Sequence, residues 1–202
     1  PYVEEFLAPF NLKPLVYMNI GFRFLLNKKR GFVRVGVLTG LKMRGPVPLY
    51  IDMFNTLGAS GTMVTWTEVY TALQTGVVDG MEASPSLIYA MKFHEQAKFL
   101  SKTYHIGANF YIVTGKKWFE QLPKDLQQVF VDAVEEVSKY QVDLQAKLDR
   151  EDMDKLIKEG VKVNEVESLE EFQKAVIPWR DKYVKDKGPK FETFYQKMLA
   201  VK

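Results

Sequence analysis

Thr65-Trp66-Thr67-Glu68-Val69-Tyr70-Thr71-Ala72-Leu73-Gln74-Thr75-Gly76-Val77-Val78-Asp79-Gly80-Met81-Glu82 is the stretch on which the fold turns. Residues 62–66 read as a short strand. Thr67 is a good N-cap, and Glu68 places negative charge in the first helical turn, where the helix dipole favours it. The helix runs through Tyr70 and Leu73 and stops at Gly76. Val77-Val78 reads as a short buried strand closed by the turn dipeptide Asp79-Gly80. Strand, helix and strand at this spacing make an α/β unit.

Immediately upstream, Gly40-Leu41-Lys42-Met43-Arg44 alternates as a strand does, with Leu41 and Met43 on one face and Lys42 and Arg44 on the other. Gly45-Pro46-Val47-Pro48 ends it. Leu49, Met53, Phe54 and Leu57 then carry helical spacing up to Gly58. Arg44 therefore stands at the end of a strand, where an α/β sheet presents ligand-binding groups. A guanidinium there is suited to hold a carboxylate by two parallel hydrogen bonds. On its own, such an arginine reads more readily as a solvated or salt-bridged surface residue. Trp66, just before a helix, reads either as a pocket wall or as core.

Further out, residues 12–18 read as a buried strand that ends at Gly21-Phe22-Arg23, and Lys28-Lys29-Arg30-Gly31 as a basic turn. Residues 32–38 form either a strand or an irregular crossing. Ser84-Pro85 opens a helix with proline at its favoured first position. Residues 98–106 lead to a clear strand over 109–114, and 116–121 form a short helix. Residues 123–159 carry a long amphipathic pattern that Gly160 closes. Its spacing slips between 148 and 153, which predicts a kink near Asp149-Arg150-Glu151-Asp152. A strand over 161–163, a helix capped by Ser168 with Glu171 three residues on, and a final helix from Pro189 complete the chain.

The 202 residues are 47% hydrophobic and 26% charged, enough for a sizeable core in one domain or two small ones. A net charge of +3, with basic and acidic residues interleaved, argues against nucleic acid as a partner. The absence of cysteine excludes disulfides, thiolate catalysis and zinc–thiolate sites. No run of apolar residues is long enough to span a membrane. The opening Pro1-Tyr2-Val3-Glu4-Glu5 has neither a start methionine nor a signal peptide, so the chain is expected to begin inside a longer protein. The two histidines, His94 and His105, fall in no catalytic motif, and Glu68, Asp79 and Glu82 are single carboxylates without a visible partner.

The chain resembles the C-terminal two-thirds of a substrate-binding protein of the TRAP (tripartite ATP-independent periplasmic) transporter family, dicarboxylate-binding type. Gly21-Phe22-Arg23, Gly40-Leu41-Lys42-Met43-Arg44 and the series from Glu68 to Gly80 carry the likeness. Ser86-Leu87-Ile88-Tyr89, Lys92-Phe93 and Leu122-Pro123 extend it. The resemblance implies an α/β periplasmic-binding-protein-like fold, with two lobes joined by crossing strands and a long bracing helix. Residues 1–22 would belong to one lobe, 23–108 to the second, and 109–202 would return to the first. It implies a non-enzymatic periplasmic protein, secreted with a signal peptide on its precursor. Acting as a monomer without cofactor or metal, such a protein captures a small organic acid and passes it to TRAP membrane subunits. The alternatives on this fold are a sensor module and an enzyme. By the same resemblance Arg44 pairs with the ligand carboxylate, Arg23 lies in the cleft and Trp66 lines the pocket. Glu82 and Ser84 complete the candidate substrate-binding set. Ala83-Ser84-Pro85 departs from the asparagine–proline common in the family, which leaves Ser84 as a partial substitute for the missing amide.

Overall fold

The computed structural model describes residues 2–200. A short helix α1 (Tyr2–Leu7) and a 3-10 turn (Ala8–Phe10) lead into strand β1 (Leu12–Asn27). The sequence reads as breaking at Gly21, but the strand continues. Gly21 adopts φ +81°, and the pairing register with the neighbouring strand slips between Asn19 and Phe22. Such a bulge lets a strand bend without ending, and glycine takes the left-handed conformation without steric penalty.

After a basic turn and a 3-10 segment (Val35–Leu38) come β2 (Lys42–Gly45), α2 (Pro48–Thr56) and β3 (Ser60–Met63). A 3-10 turn (Trp66–Glu68) precedes α3 (Val69–Thr75), and β4 (Gly80–Ala83) follows. Two details differ from the sequence expectation. Thr67 caps nothing; instead the Thr65 hydroxyl donates to Glu68 Oε2 at 2.5 Å, because the 3-10 turn occupies the place of the cap. The strand begins at Gly80 and not at Val77, because Asp79 already binds across to β2. Its amide donates to the Lys42 carbonyl (2.7 Å), and its carboxylate accepts from the Lys42 amide (3.0 Å).

Helices α4 (Pro85–Ala90) and α5 (Phe93–Gln96) precede the 17-residue strand β5 (Phe99–Gly115), which absorbs both segments read separately from sequence. Then follow α6 (Lys116–Gln121), α7 (Lys124–Lys158), β6 (Lys162–Glu165), α8 (Leu169–Asp186) and α9 (Pro189–Leu199). Ser168 Oγ accepts from the Glu171 amide, as its spacing predicts. Through the positions of the predicted kink, α7 continues as one helix of 35 residues. The apolar spacing slips because the inward stripe turns polar. Asp149 accepts hydrogen bonds from the Ser86 amide and Gln145, and Asp152 is buried beside Lys155.

Among the described residues the strands form one six-stranded sheet in the order β3-β2-β4-β1-β5-β6. β2 runs parallel to β3 and β4, β5 runs parallel to β6, and β1 is antiparallel to both its neighbours. Side-chain alternation along β1 divides the core between the two sheet faces. Phe24 and Leu26 pack with Leu73, Ile88, Phe93 and Leu156 on one face. Leu25 packs with Met43, Phe54, Leu57 and Phe172 on the other. This is an α/β fold with helices on both sides of the sheet. The far half of the long ladder, Leu12 to Asn19 against Asn109 to Gly115, buries no side chain completely.

Gly80 is closely packed in the core: a methyl group there would stand 2.6 Å from the Leu26 carbonyl oxygen and 2.8 Å from Met43 Sδ. Overpacking of this kind costs about 1–3 kcal/mol. Gly80→Ala is expected to lower the free energy of unfolding in urea by that amount, and an unchanged denaturation midpoint would contradict the packing described.

Candidate functional site

β2, β4 and β1 lie side by side, and each contributes one charged residue at the same end of the sheet: Arg44, Glu82 and Arg23. Arg23 Nε donates to Glu82 Oε2, and Arg23 Nη2 donates to Oε1 and to the Glu82 carbonyl oxygen at 2.8 Å each. Both side chains are nearly sealed from water, at 10% and 0% exposure. Burial acts against the Arg23 charge, but the hydrogen bond and the negative charge of Glu82 outweigh it and hold Arg23 above its ordinary pKa. Arg23 is therefore already occupied, and Glu82 is its counter-ion.

Arg44 is in a different state. It is 2% exposed, its Nε donates to the Val64 carbonyl (2.9 Å), and its guanidinium carbon lies 5.6 Å from the centre of the Trp66 ring. Burial draws its pKa down while Glu82 pulls it back up. Among the described residues no acceptor meets its two terminal nitrogens. A planar fork of N–H donors, charged, shielded and unpaired, fits a carboxylate.

Trp66 is half-buried, with its edge against Phe93 at a centroid distance of 5.2 Å. It reaches this position because the strand ends at Met63 and the 3-10 turn swings the indole towards Arg44. Ser84 ends up fully buried behind β4. Its hydroxyl lies 3.2 Å from that of Ser86, and its carbonyl accepts from the Ile88 amide. The structure thus brings Arg44, Arg23, Glu82 and Trp66 together and turns Ser84 towards α4.

Two further residues border this cluster. Tyr50, on the first turn of α2, and His105, on β5, line a cavity of about 430 Å³ between α2 and α8. Burial pushes the Tyr50 phenol above its usual pKa, assisted by Glu82 and opposed by both arginines. Burial, then the positive charge of Arg23, lowers the pKa of His105 to about 3, so it is neutral at physiological pH. Its Nδ1 lies 2.7 Å from Thr103 Oγ1, and its Nε2 is buried without a hydrogen-bond partner. Sequence reasoning passed over both residues. His105 gave no signal, because its neighbour Arg23 lies 82 residues away in the chain. Tyr50 gave a weak one, since the Gly45-Pro46 turn returns the chain to within six residues of Arg44. Among the described residues no group of three or more His, Asp or Glu is placed to hold a metal ion. No helix among them is long and apolar enough to cross a membrane.

The sequence profile of bacterial extracellular solute-binding proteins, family 7 (DctP), matches residues 2–186. The chain belongs to this family. The 2,3-diketo-L-gulonate-binding periplasmic protein YiaO of Escherichia coli is 32% identical over 182 residues, covering 87% of this chain and 54% of that protein. A TRAP periplasmic solute-binding protein of Chromohalobacter salexigens, solved with bound D-glucuronate, superposes with a TM-score of 0.93 at 28% identity. That match covers 97% of this chain and 65% of the other. A TRAP periplasmic solute-binding protein of Sulfitobacter, solved with β-D-galacturonate, superposes at 0.90 and 26% identity over 95% and 64% of the two chains. This TRAP-family chain spans about half the length of the curated relatives it matches. YiaO and the two structural relatives are periplasmic binding proteins.

Two outcomes follow for this solute-binding protein. Removing one partner of a buried ion pair costs about 3–5 kcal/mol, so Glu82→Ala is expected to lower stability in urea by that amount; a loss below about 1 kcal/mol would contradict a sealed pair. The second concerns pH. The folded pKa of His105 lies below its unfolded value of 6.5, so the unfolded chain binds the extra proton between the two. The stability contribution is fully present above pH 6.5 and is lost as pH falls towards 3. His105→Gln is expected to flatten the decline in thermal midpoint between about pH 6.5 and 5, before the carboxylates titrate. Parallel pH profiles for the two proteins would refute this.

Proposed function

We propose that the protein is the solute-binding component of a TRAP transporter, and that it captures a sugar acid by its carboxylate at Arg44. The observation that carries this reading is the state of the two arginines. Arg23 is neutralised by Glu82, whereas among the described residues the terminal nitrogens of Arg44 meet no acceptor. A shielded guanidinium without a counter-ion is unfavourable until an anion binds, which makes it an anchor for one carboxylate. Trp66 supplies the apolar wall beside it, and Glu82 acts by holding Arg23. The glucuronate and galacturonate bound by the two structural relatives, each carrying one carboxylate on a polyhydroxylated ring, support the choice of ligand class.

In this reading residues 1–22 belong to one lobe, 23–108 to the second, and 109–202 return to the first. The unequal burial along the β1–β5 ladder supports that division: the buried clusters gather around Phe24 to Asn27, and none forms around Leu12 to Asn19. Closure of the lobes excludes water from the Arg44–carboxylate pair and strengthens it. The closed monomer then docks on the membrane subunits.

Stripping one partner from a buried, hydrogen-bonded charge pair costs about 2–5 kcal/mol. Calorimetric titration of the full-length protein with D-glucuronate and D-galacturonate is expected to show that Arg44→Ala weakens binding by roughly thirtyfold to several thousandfold. The neutral methyl esters should bind neither protein. An unchanged dissociation constant in Arg44→Ala would sink the anchor assignment.

A further inference from the structure

The turn after Arg44 folds α2 back over the end of β2, so that Tyr50 lands on Gly45. A methyl group on Gly45 would stand 2.9 Å from Tyr50 Cβ and 3.2 Å from the Ile51 amide nitrogen. Glycine at the position after Arg44 is therefore what permits Tyr50 to approach the anchor so closely. On its other side the Tyr50 ring lines the cavity between α2 and α8, next to His105 and Ile106. Ile106 is the β5 partner of Arg23 in the ladder, and both arginines are close enough to act electrostatically on the Tyr50 phenol. The ring is half-buried, and among the described residues its hydroxyl has no hydrogen-bond partner. Nor is it among the sealed polar atoms that lack a partner, and Tyr50 lines the cavity. Of the charged groups beside it, Glu82 is held by Arg23, and among the described residues the terminal nitrogens of Arg44 meet no acceptor.

We propose that Tyr50 is a specificity-determining residue whose hydroxyl hydrogen-bonds the oxygen substituent next to the carboxylate held at Arg44. This rests on the reading of Arg44 as the carboxylate anchor. In a hexuronate the carboxylate is attached to C5, and the hydroxyl on the neighbouring carbon is that of C4. C4 is also the centre at which D-glucuronate and D-galacturonate differ. A group fixed beside the anchor meets that hydroxyl in one epimer and loses it in the other, because the carboxylate sets the position of the ring. Burial keeps the phenol protonated at neutral pH, so it both donates and accepts. A site built to bond a ligand hydroxyl is left with an unpaired polar group when that hydroxyl points elsewhere, and this asymmetry is the source of discrimination.

The test compares the dissociation constants of D-glucuronate and D-galacturonate for the full-length wild-type protein and for Tyr50→Phe, which keeps the ring and removes only the hydroxyl. The wild-type protein is expected to separate the two epimers by about tenfold or more, the equivalent of one hydrogen bond. Tyr50→Phe is expected to bring the ratio within about twofold by weakening the preferred epimer. A ratio that is the same in both proteins, or a wild-type ratio already near one, would overturn the role of Tyr50 and leave the anchor at Arg44 standing. Binding of neither sugar acid to the wild-type protein would instead overturn the sugar-acid reading, and this inference with it.

Discussion

Two opposite charges taken out of water together, Arg23 and Glu82, are the constraint on which this architecture depends. Neither residue is tolerable in its position without the other, since an isolated buried ion loses its hydration with nothing in return. The pair joins β1 to β4 through side chains as well as through the backbone ladder, and so fixes the middle of the sheet. It also divides the labour between the two arginines. Glu82 satisfies the one on its own side, and the second guanidinium keeps its donors open. The cluster thus carries a charge imbalance of one unit, beside a pair that is already balanced.

The surroundings of that imbalance are short-range consequences of turn chemistry. Gly45 and Pro46 end β2 abruptly, which lets α2 pack back on it and bring Tyr50 to the arginines. The 3-10 turn at Trp66–Glu68 delays the start of α3 by one turn and leaves the indole facing the guanidinium. Asp79 spans β2 and the segment after α3 with both its backbone and its carboxylate, which aligns β4 so that Glu82 reaches Arg23. Each of these contacts is local, and together they bring side chains from three strands to one end of the sheet.

Much of this was legible in the sequence. Alternation in Leu41-Lys42-Met43-Arg44, helical spacing over residues 49–57 and the capping pair Ser168 and Glu171 are local signals, and the structure follows them. Arg44 could be placed at a strand end from its glycine and proline neighbours alone. What the sequence concealed is pairing over distance. Nothing near Arg23 indicates that Glu82 neutralises it, and nothing near His105 indicates that Arg23 adjoins it. The breaks read at Gly21 and between 106 and 109 proved to be bends in continuous strands, because a bulge uses the same residue types as a turn. The slip in apolar spacing in α7 has a related cause: an inward-facing Asp149 looks like a lapse in the hydrophobic pattern, although it is held by Ser86 and Gln145.

The polar stripe along α7 has a mechanical meaning. Ser138 and Gln141 donate to the carbonyls of Tyr17 and Asn19 on the outer part of β1, while Gln145 and Asp149 hold Ser86 at the start of α4. The helix, about 52 Å long, thus grips the outer part of β1 and the start of α4, and at Gly21 its Asp149 carboxylate fills the space that a side chain would need. A single stiff helix that holds two separate parts of the chain ties their positions together, so a displacement of the outer part of β1 is carried to the start of α4 instead of being absorbed between them.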